Sequence, residues 1–217
     1  MTWLPATDLL ATGSADLEAQ LKLAGERLGT ASLAVAASAV LEGYAWTLAR
    51  PLFAAIAAGE APADLAAGNV LVRFADGFAA EVATGDAPAL APAAAAARMV
   101  DGHLAVLVAR LAERRVRRGP RALWGLVANA CAAAAIEEAQ AAGHPPQRTA
   151  ELVNAVFGAA GWPLPPPPLL PVTTGGRECL VRRRVTCCLH YTLANEPCAT
   201  CPLLSAKETR QRMSART

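Results

Sequence analysis

Four of the six cysteines lie near the end of the chain in the pattern C-C-x9-C-x2-C: Cys187, Cys188, Cys198 and Cys201. A C-x2-C pair has the shortest spacing at which two thiolates close a chelate on one metal ion. Two adjacent cysteines on a regular strand would point to opposite faces, so the backbone must bend there or the site must lie at the strand's end. We expect residues 189–193 to form a strand and residues 194–197 a turn. The pattern predicts a small loop that offers four sulfurs.

Four converging thiols can bind zinc or an iron–sulfur cluster, or they can form disulfides. An all-cysteine set suits zinc or an iron–sulfur cluster. Structural zinc sites usually pair two C-x2–4-C knuckles, and adjacent cysteines make a poor knuckle, whereas a two-iron cluster needs two sulfurs on each iron and tolerates less regular spacing. Disulfides are a third option, which is disfavoured because the amino terminus does not resemble a secretory signal. The spacing favours a cluster and leaves zinc and disulfides open.

The residues around these cysteines resemble a known family signature. They read Arg183-Arg184-x-x-Cys187-Cys188-Leu189-x-Tyr191-x-Leu193, followed by Cys198-x-x-Cys201-Pro202-Leu203. This is similar to the carboxy-terminal motif of FhuF-type ferric-siderophore reductases, which hold a [2Fe-2S] cluster with the pattern C-C-x10-C-x2-C. The spacer here is one residue shorter, and the missing residue falls in the predicted turn, where deletions are best tolerated.

The resemblance carries specific implications for the site and for the activity. It implies that Cys187, Cys188, Cys198 and Cys201 are the ligands of a [2Fe-2S] cluster. It also implies one-electron reduction of siderophore-bound iron(III), with hydroxamate siderophores as the favoured substrates. Such outer-sphere transfer requires no general acid, base or nucleophile, so we expect no catalytic side chain in that sense.

Three arginines lie directly before the cysteines: Arg182, Arg183 and Arg184. From Arg177 onward the chain has eight Lys/Arg against three Glu, a net charge of +5, while the whole chain carries only +2. We expect the three arginines to contribute electrostatics toward a substrate or partner and to lie near the surface. A redox sensor that binds nucleic acid through the basic tail is an alternative, but no recognition-helix pattern surrounds the arginines, and we expect no nucleic-acid partner. A zinc-stapled interaction module is the other alternative.

The sequence contains neither a dinucleotide fingerprint nor a phosphate-binding glycine loop. We therefore expect the electron to come from a separate donor, such as a ferredoxin or a flavin reductase. The longest apolar stretches are shorter or less hydrophobic than the roughly 20 residues that span a bilayer. We expect a cytoplasmic protein, for which peripheral membrane contact stays open.

The rest of the chain predicts a mostly helical body. Ser14 is a candidate N-cap for a helix that ends near Leu28, and a second helix follows over residues 31–58, which Pro51 should kink or split. Asp76-Gly77 marks the turn of a β-hairpin over residues 69–82. Glycine–proline punctuation indicates three further helices, at about residues 93–118, 121–142 and 147–160. The alanines at 132–135 indicate close helix packing.

These elements give an α+β fold class with three parts. Residues 1–160 form the helical and mixed body with its hairpin, which we expect to supply the siderophore-binding surface. Residues 161–171 form a stiff proline-rich spacer, whose direction Trp162 would fix by docking onto the body. Residues 172–217 form the iron–sulfur cluster segment with its basic tail.

The remaining chemically notable residues have simpler explanations. Cys131 lies in an alanine-rich helix and is predicted to be a small buried hydrophobe. Cys179 is a spare thiol eight residues before the motif, and His190 could replace a thiolate as in Rieske centres, but four cysteines already suffice. Tyr44 and Trp46 are predicted to fill the core. The arginines at 114, 115, 117 and 118 would complement the negative end of a helix dipole. The more specific alternative is that they contact an anion or the siderophore.

Overall fold

The computed structural model describes residues 2–114, 116–159 and 161–215. Some predicted features include residues outside these ranges: Arg115 in the arginine cluster, Ala160 in the last predicted helix of the body, and Arg216 and Thr217 in the basic tail. The elements of the described ranges, in chain order, are β1 (Trp3–Pro5), α1 (Ala6–Leu9), α2 (Ala15–Leu28), α3 (Leu33–Ala58), β2 (Leu71–Ala75), β3 (Phe78–Ala83), α4 (Pro92–Met99), α5 (Ala105–Glu113), α6 (Pro120–Ala141), α7 (Pro146–Ala159), β4 (Leu169–Thr174), β5 (Arg177–Arg182), α8 (Tyr191–Ala194) and α9 (Ala206–Ser214).

The core is organised around the pair of long helices α3 and α6, which make the most extensive contact in the fold. Both helices are apolar on most of their circumference, so each is buried among other elements rather than amphipathic at the surface. The alanine run of α6 is buried against this core, which confirms the predicted close packing. Pro51 does not split α3, which continues through it to Ala58.

Two small antiparallel sheets flank the helices. The predicted hairpin is confirmed as β2 and β3, with Asp76 and Gly77 at its turn, and the short strand β1 adds to its edge. A second hairpin, β4–β5, was not predicted, although Gly175-Gly176 at its turn is a strong hairpin signal. Both glycines have positive φ, the conformation that such a two-residue turn requires. The mostly helical α+β class is confirmed.

The predicted helix at 93–118 is interrupted and shorter. Between α4 and α5 a π-helical turn spans Val100–Leu104, and α5 ends at Glu113. Arg114 follows at the C-cap, where its Nη1 donates to the carbonyl of Arg110 at 3.1 Å, as expected for a cation at the negative end of a helix. Arg118 instead turns toward the cysteines.

The proline-rich stretch after α7 is held against the body by its tryptophan. The ring of Trp162 stacks on that of Phe157 with centroids 4.2 Å apart, which confirms the predicted docking. Strand β4 begins at Leu169, inside the predicted spacer, and extends into the predicted cluster segment. The β4–β5 hairpin packs against α6, α7 and α9, so it links the body to the cysteines.

Within the described ranges, none of the helices taken singly has the length and apolar character needed to cross a membrane. The bent pair α2 and α3, which meet at 106°, passes that test together on length and composition alone.

Candidate metal centre

Backbone amides next to the adjacent cysteines donate hydrogen bonds to both sulfurs. The N–H of Leu189 donates to the Sγ of Cys187 at 3.3 Å, and the N–H of His190 donates to Cys188. Leu189 has a φ of +66°, a left-handed conformation that is uncommon for such a side chain. A strand cannot continue through this bend. The predicted strand at 189–193 is therefore wrong, and helix α8 begins at Tyr191 instead. The bend is what allows neighbouring cysteines to serve one site.

The four thiols of the cysteine loop (residues 187–201) come together as two pairs. Cys188 and Cys198 share one hydrogen bond, and Cys187 and Cys201 share another. Asn195 adopts the left-handed conformation in the predicted turn, and the N–H of Cys201 then donates to the carbonyl of Cys198 at 2.9 Å. All cysteines of the chain are free thiols. In the described ranges, no three or more His, Cys, Asp or Glu side chains are placed to hold a single metal ion.

The surroundings of the first pair favour one thiolate and one thiol. The hydrogen bond from Cys198 lowers the pKa of Cys188, and the charge of Arg184 and the His190 amide act in the same direction. The same hydrogen bond, together with burial, raises the pKa of Cys198. Burial also raises the pKa of Cys187. Because the thiolate is the form that binds metal, Cys188 is the thiol best prepared to bind first.

Helix α6 is the platform on which the cysteine loop rests. The side chain of Asn129, fully buried, accepts from the N–H of Val185 at 2.9 Å and donates to the carbonyl of Thr186 at 3.2 Å. One turn earlier, a Cβ on Gly125 would lie 2.8 Å from the side chain of Thr186, so only glycine permits this approach. Arg118, just before α6, donates to the carbonyl of Cys187 at 2.6 Å.

Two arginine side chains hold the backbone at the end of the cysteine loop. Arg183 donates through its guanidinium to the carbonyls of Pro202, at 3.2 Å, and Leu204, at 2.9 Å. Arg212 of α9 donates to the carbonyl of Pro197 at 2.8 Å. Helix α9 itself begins with a capping box of Ser205 and Glu208. The part of the loop that carries Cys198 and Cys201 is therefore held by Arg183, which precedes the cysteines, and by Arg212, which follows them.

The other two predicted arginines point inward rather than to the surface. Arg184 is only 7% exposed and pairs with the carboxylate of Glu42, on α3. Arg182 is largely buried and its Nη2 lies 3.7 Å from the same carboxylate. The expectation that three neighbouring guanidinium groups would lie near the surface is corrected for Arg182 and Arg184, because the carboxylate of Glu42 pairs with both of them inside the protein. Their role toward a substrate or partner stays a prediction.

A cleft of about 360 Å³ opens between α3 and the cysteine loop. Its wall includes Cys188, Cys198 and His190 from the loop, and Glu42 and Arg184 from the ion pair. The rest of the lining is small and apolar: Leu28, Val35, Ala39 and Gly43. The first cysteine pair can therefore be approached from solvent, whereas Cys201 is only 1% exposed.

The remaining sequence candidates take the simpler roles expected of them. Cys131 is fully buried in the core, and burial raises the pKa of its thiol. Cys179 lies in β5 opposite Val172. Tyr44 is buried, and the half-buried Trp46 packs against the core. His190 is exposed, and what it gives to the cysteines is its backbone amide.

Sequence reasoning missed three residues that position the site, Glu42, Gly125 and Asn129, and it gave Arg118 a different role, at the end of a helix. A signal existed for two of them. Glu42 is the one charged residue in the apolar stretch from Ser32 to Ala49, and Asn129 is a lone amide in the apolar stretch 122–136. A polar side chain in such a place is buried, and it must find a partner.

The donor set fits a [2Fe-2S] cluster. Each iron of such a cluster takes two protein sulfurs, and the structure presents four thiols as two pairs. Backbone amides already donate to two of the sulfurs, as is expected for thiolates that carry negative charge.

The family model described as the FhuF 2Fe-2S C-terminal domain matches residues 184–203, which contain all four cysteines of the loop. This match confirms the resemblance of the carboxy-terminal segment, and the [2Fe-2S] cofactor agrees with it. It also indicates a redox role. No curated protein and no solved structure matches the chain.

Proposed function

We propose that the protein is a ferric-siderophore reductase, which delivers one electron to siderophore-bound iron(III). The observation that carries this proposal is the set of four paired thiols inside the segment that matches the FhuF 2Fe-2S C-terminal domain. Cys187, Cys188, Cys198 and Cys201 would hold the cluster. When bound, a [2Fe-2S] cluster supplies one-electron transfer at a potential set by its ligands, hydrogen bonds and exposure.

The reaction needs one electron for each iron. A separate donor protein of the ferredoxin or flavin-reductase class loses one electron, and the iron of the chelate gains it, passing from iron(III) to iron(II). Hydroxamate and catecholate oxygens are hard ligands that hold iron(III) far better than iron(II), so the chelate loosens after reduction. No proton or covalent bond has to be transferred by a side chain of the protein.

The chain's own contribution is placement and electrostatics. The cleft beside Cys188 and Cys198 gives a bulky chelate a route toward the first cysteine pair. The guanidinium groups of Arg182 and Arg184 are held near these thiols by Glu42, which keeps positive charge close to the path of the electron. The electrostatic role toward a substrate or partner that the sequence predicts for these arginines would thus act through the metal centre.

The test is anaerobic. Protein purified without oxygen is analysed for iron, sulfide and zinc, reduced chemically and mixed with a ferric hydroxamate in the presence of a ferrous chelator. We expect iron(II) to appear in proportion to cluster content, and protein stripped of its iron serves as the control. If reduced protein yields no iron(II) from any hydroxamate, catecholate or citrate chelate, the reductase proposal is wrong. A colourless protein that contains zinc would favour an interaction module instead.

A further inference from the structure

Arg184 has an unusual environment for a buried cation. Its side chain is 7% exposed, its Nη2 pairs with Glu42, and its backbone N–H donates to the carbonyl of Thr200 at 3.0 Å. Its Nε, however, is buried and has no hydrogen-bond partner among the residues that the structure describes. A buried N–H left unpaired has lost its hydration without a replacement, so a partner for this group is expected when the site is filled.

The surroundings of Arg184 show where that partner lies. Arg184 shares the wall of the cleft with Cys188 and Cys198, the first pair of the predicted ligands. Its charge also acts on both of these thiols. Arg184 is fixed at two points: its backbone N–H bonds to Thr200, and its guanidinium pairs with Glu42. Its side chain therefore has little freedom to move.

We propose that Arg184 donates its Nε–H to a sulfur of the metal centre, and that Glu42 positions the guanidinium while it cancels part of the positive charge. Together the two residues set the reduction potential of the centre. This inference rests on the cluster of the proposed function, but it does not depend on a siderophore being the electron acceptor.

The proposal predicts opposite effects for the two members of one ion pair. Reduction adds negative charge to the centre, so a nearby cation and a donated hydrogen bond favour the reduced state and raise the potential. A nearby carboxylate has the reverse effect. Replacing Arg184 should therefore lower the potential, and replacing Glu42 should raise it. A merely structural role predicts no such opposition, because both substitutions break the same pair.

The neighbouring Arg182 can compensate the charge of Glu42 when Arg184 is replaced. Its Nη2 lies 3.7 Å from Glu42, so Arg184→Gln leaves the carboxylate with a second cation. Glu42→Gln removes the only carboxylate paired with the two arginines among the described contacts, and the negative centre then compensates them. The double variant Glu42→Gln/Arg184→Gln removes both members of the closer ion pair, and Arg182 is then the one arginine that loses its carboxylate.

The experiment measures the midpoint potential of the iron-loaded protein by anaerobic spectroelectrochemical titration. Iron and sulfide contents are determined first for each protein. The variants are Arg184→Gln, Arg184→Lys, Glu42→Gln and the double variant. The control is Arg177→Gln, which removes the same charge from the exposed start of β5. We expect the potential to fall in Arg184→Gln, to fall less in Arg184→Lys, which keeps the charge but not the Nε–H, and to rise in Glu42→Gln. The double variant should lie between the single ones, and Arg177→Gln should match wild type.

Equal potentials in wild type and Arg184→Gln, a shift of the same sign in Glu42→Gln, or an equal fall in Arg177→Gln would overturn the proposal. If Arg184→Gln binds no cluster, Arg184→Lys decides, and a wild-type potential in that variant is then the contrary result. Absence of iron and sulfide from the wild-type protein would contradict the proposed function itself, whereas unmoved potentials in iron-loaded variants contradict only this inference.

Discussion

At the scale of single residues, the site depends on polar side chains set into apolar helices. Glu42 pairs with two arginines that precede the cysteines, and Asn129 satisfies two backbone groups of residues 185 and 186. Each of these contacts joins residues more than 50 positions apart in the chain. The cysteines provide the chemistry, but these distant residues fix where the sulfurs lie.

The first prediction concerns the ligands. Replacing any one of Cys187, Cys188, Cys198 or Cys201 by serine should remove nearly all of the iron, because the hydroxyl is a poor substitute for a thiolate on iron. Iron and sulfide content and the visible spectrum are the measurements. Cys131→Ala is the matched control and should keep its cluster, since that thiol lies in the core. Full iron content and an unchanged spectrum in Cys188→Ser would show that adjacent cysteines do not both bind.

At the scale of elements, helix α6 serves as the floor of the metal centre. Thr186, directly before the cysteine loop, approaches α6 at Gly125 more closely than any side chain there would allow, and Asn129 and Arg118 hold the backbone in that position. Helix α6 is itself fixed by its contact with α3, the helix that carries Glu42. The two longest helices thus support both sides of the site.

The second prediction tests this close approach. Gly125→Ala places a methyl group 2.8 Å from Thr186, and overpacking of this kind costs about 1–3 kcal/mol. We expect a lower midpoint of urea unfolding together with loss of iron. Gly158→Ala, in α7, is the control, because a Cβ there meets no atom of the described ranges within 4 Å. Alanine in that helix should leave stability equal or higher by up to about 1 kcal/mol, with iron unchanged. Similar behaviour of the two variants would mean that α6 does not position the cysteine loop.

At the scale of the whole molecule, a buried polar chain joins three distant parts of the body. The Oη of Tyr44, on α3, lies 2.5 Å from the Nε2 of His103 in the π-helical turn, and the Nδ1 of His103 lies 2.9 Å from the carbonyl of Leu65. Because the carbonyl only accepts, Nδ1 donates to it and Nε2 accepts from the tyrosine hydroxyl. This arrangement requires a neutral imidazole, and burial lowers the pKa of His103 to about 4.

The third prediction is a pH dependence of stability that follows from this histidine. Between its ordinary pKa of about 6.5 and its native pKa of about 4, the unfolded chain binds a proton that the native protein does not. The stability that His103 contributes is therefore present above pH 6.5 and is lost as the pH falls toward 4, by about 3 kcal/mol in total. Urea unfolding at a series of pH values measures this loss.

His103→Asn cannot titrate in this range, so its stability should fall less steeply with pH than that of wild type. Parallel curves for the two proteins between pH 6.5 and pH 4 would contradict a neutral buried histidine.

The sequence by itself determined the chemistry of the site and much of the local structure. Four cysteines in a C-C-x9-C-x2-C pattern define the donor set whatever the fold, and Ser14, Asp76-Gly77, Pro120 and Pro146 mark boundaries through local backbone preferences. These features act over a few residues, so they can be read from the chain. Gly175-Gly176 carried the same kind of information for the second hairpin.

Only the tertiary structure decided how the site is supported. The left-handed Leu189 replaced a predicted strand by a bend, because amides there donate to the cysteine sulfurs. Arg182 and Arg184 lie inward because Glu42, more than 100 residues earlier, pairs with both of them. Local backbone preferences do not depend on partners that are so distant in the sequence. The free energy of burying a charge depends on what packs against it, and that is set by the way α3 and α6 meet.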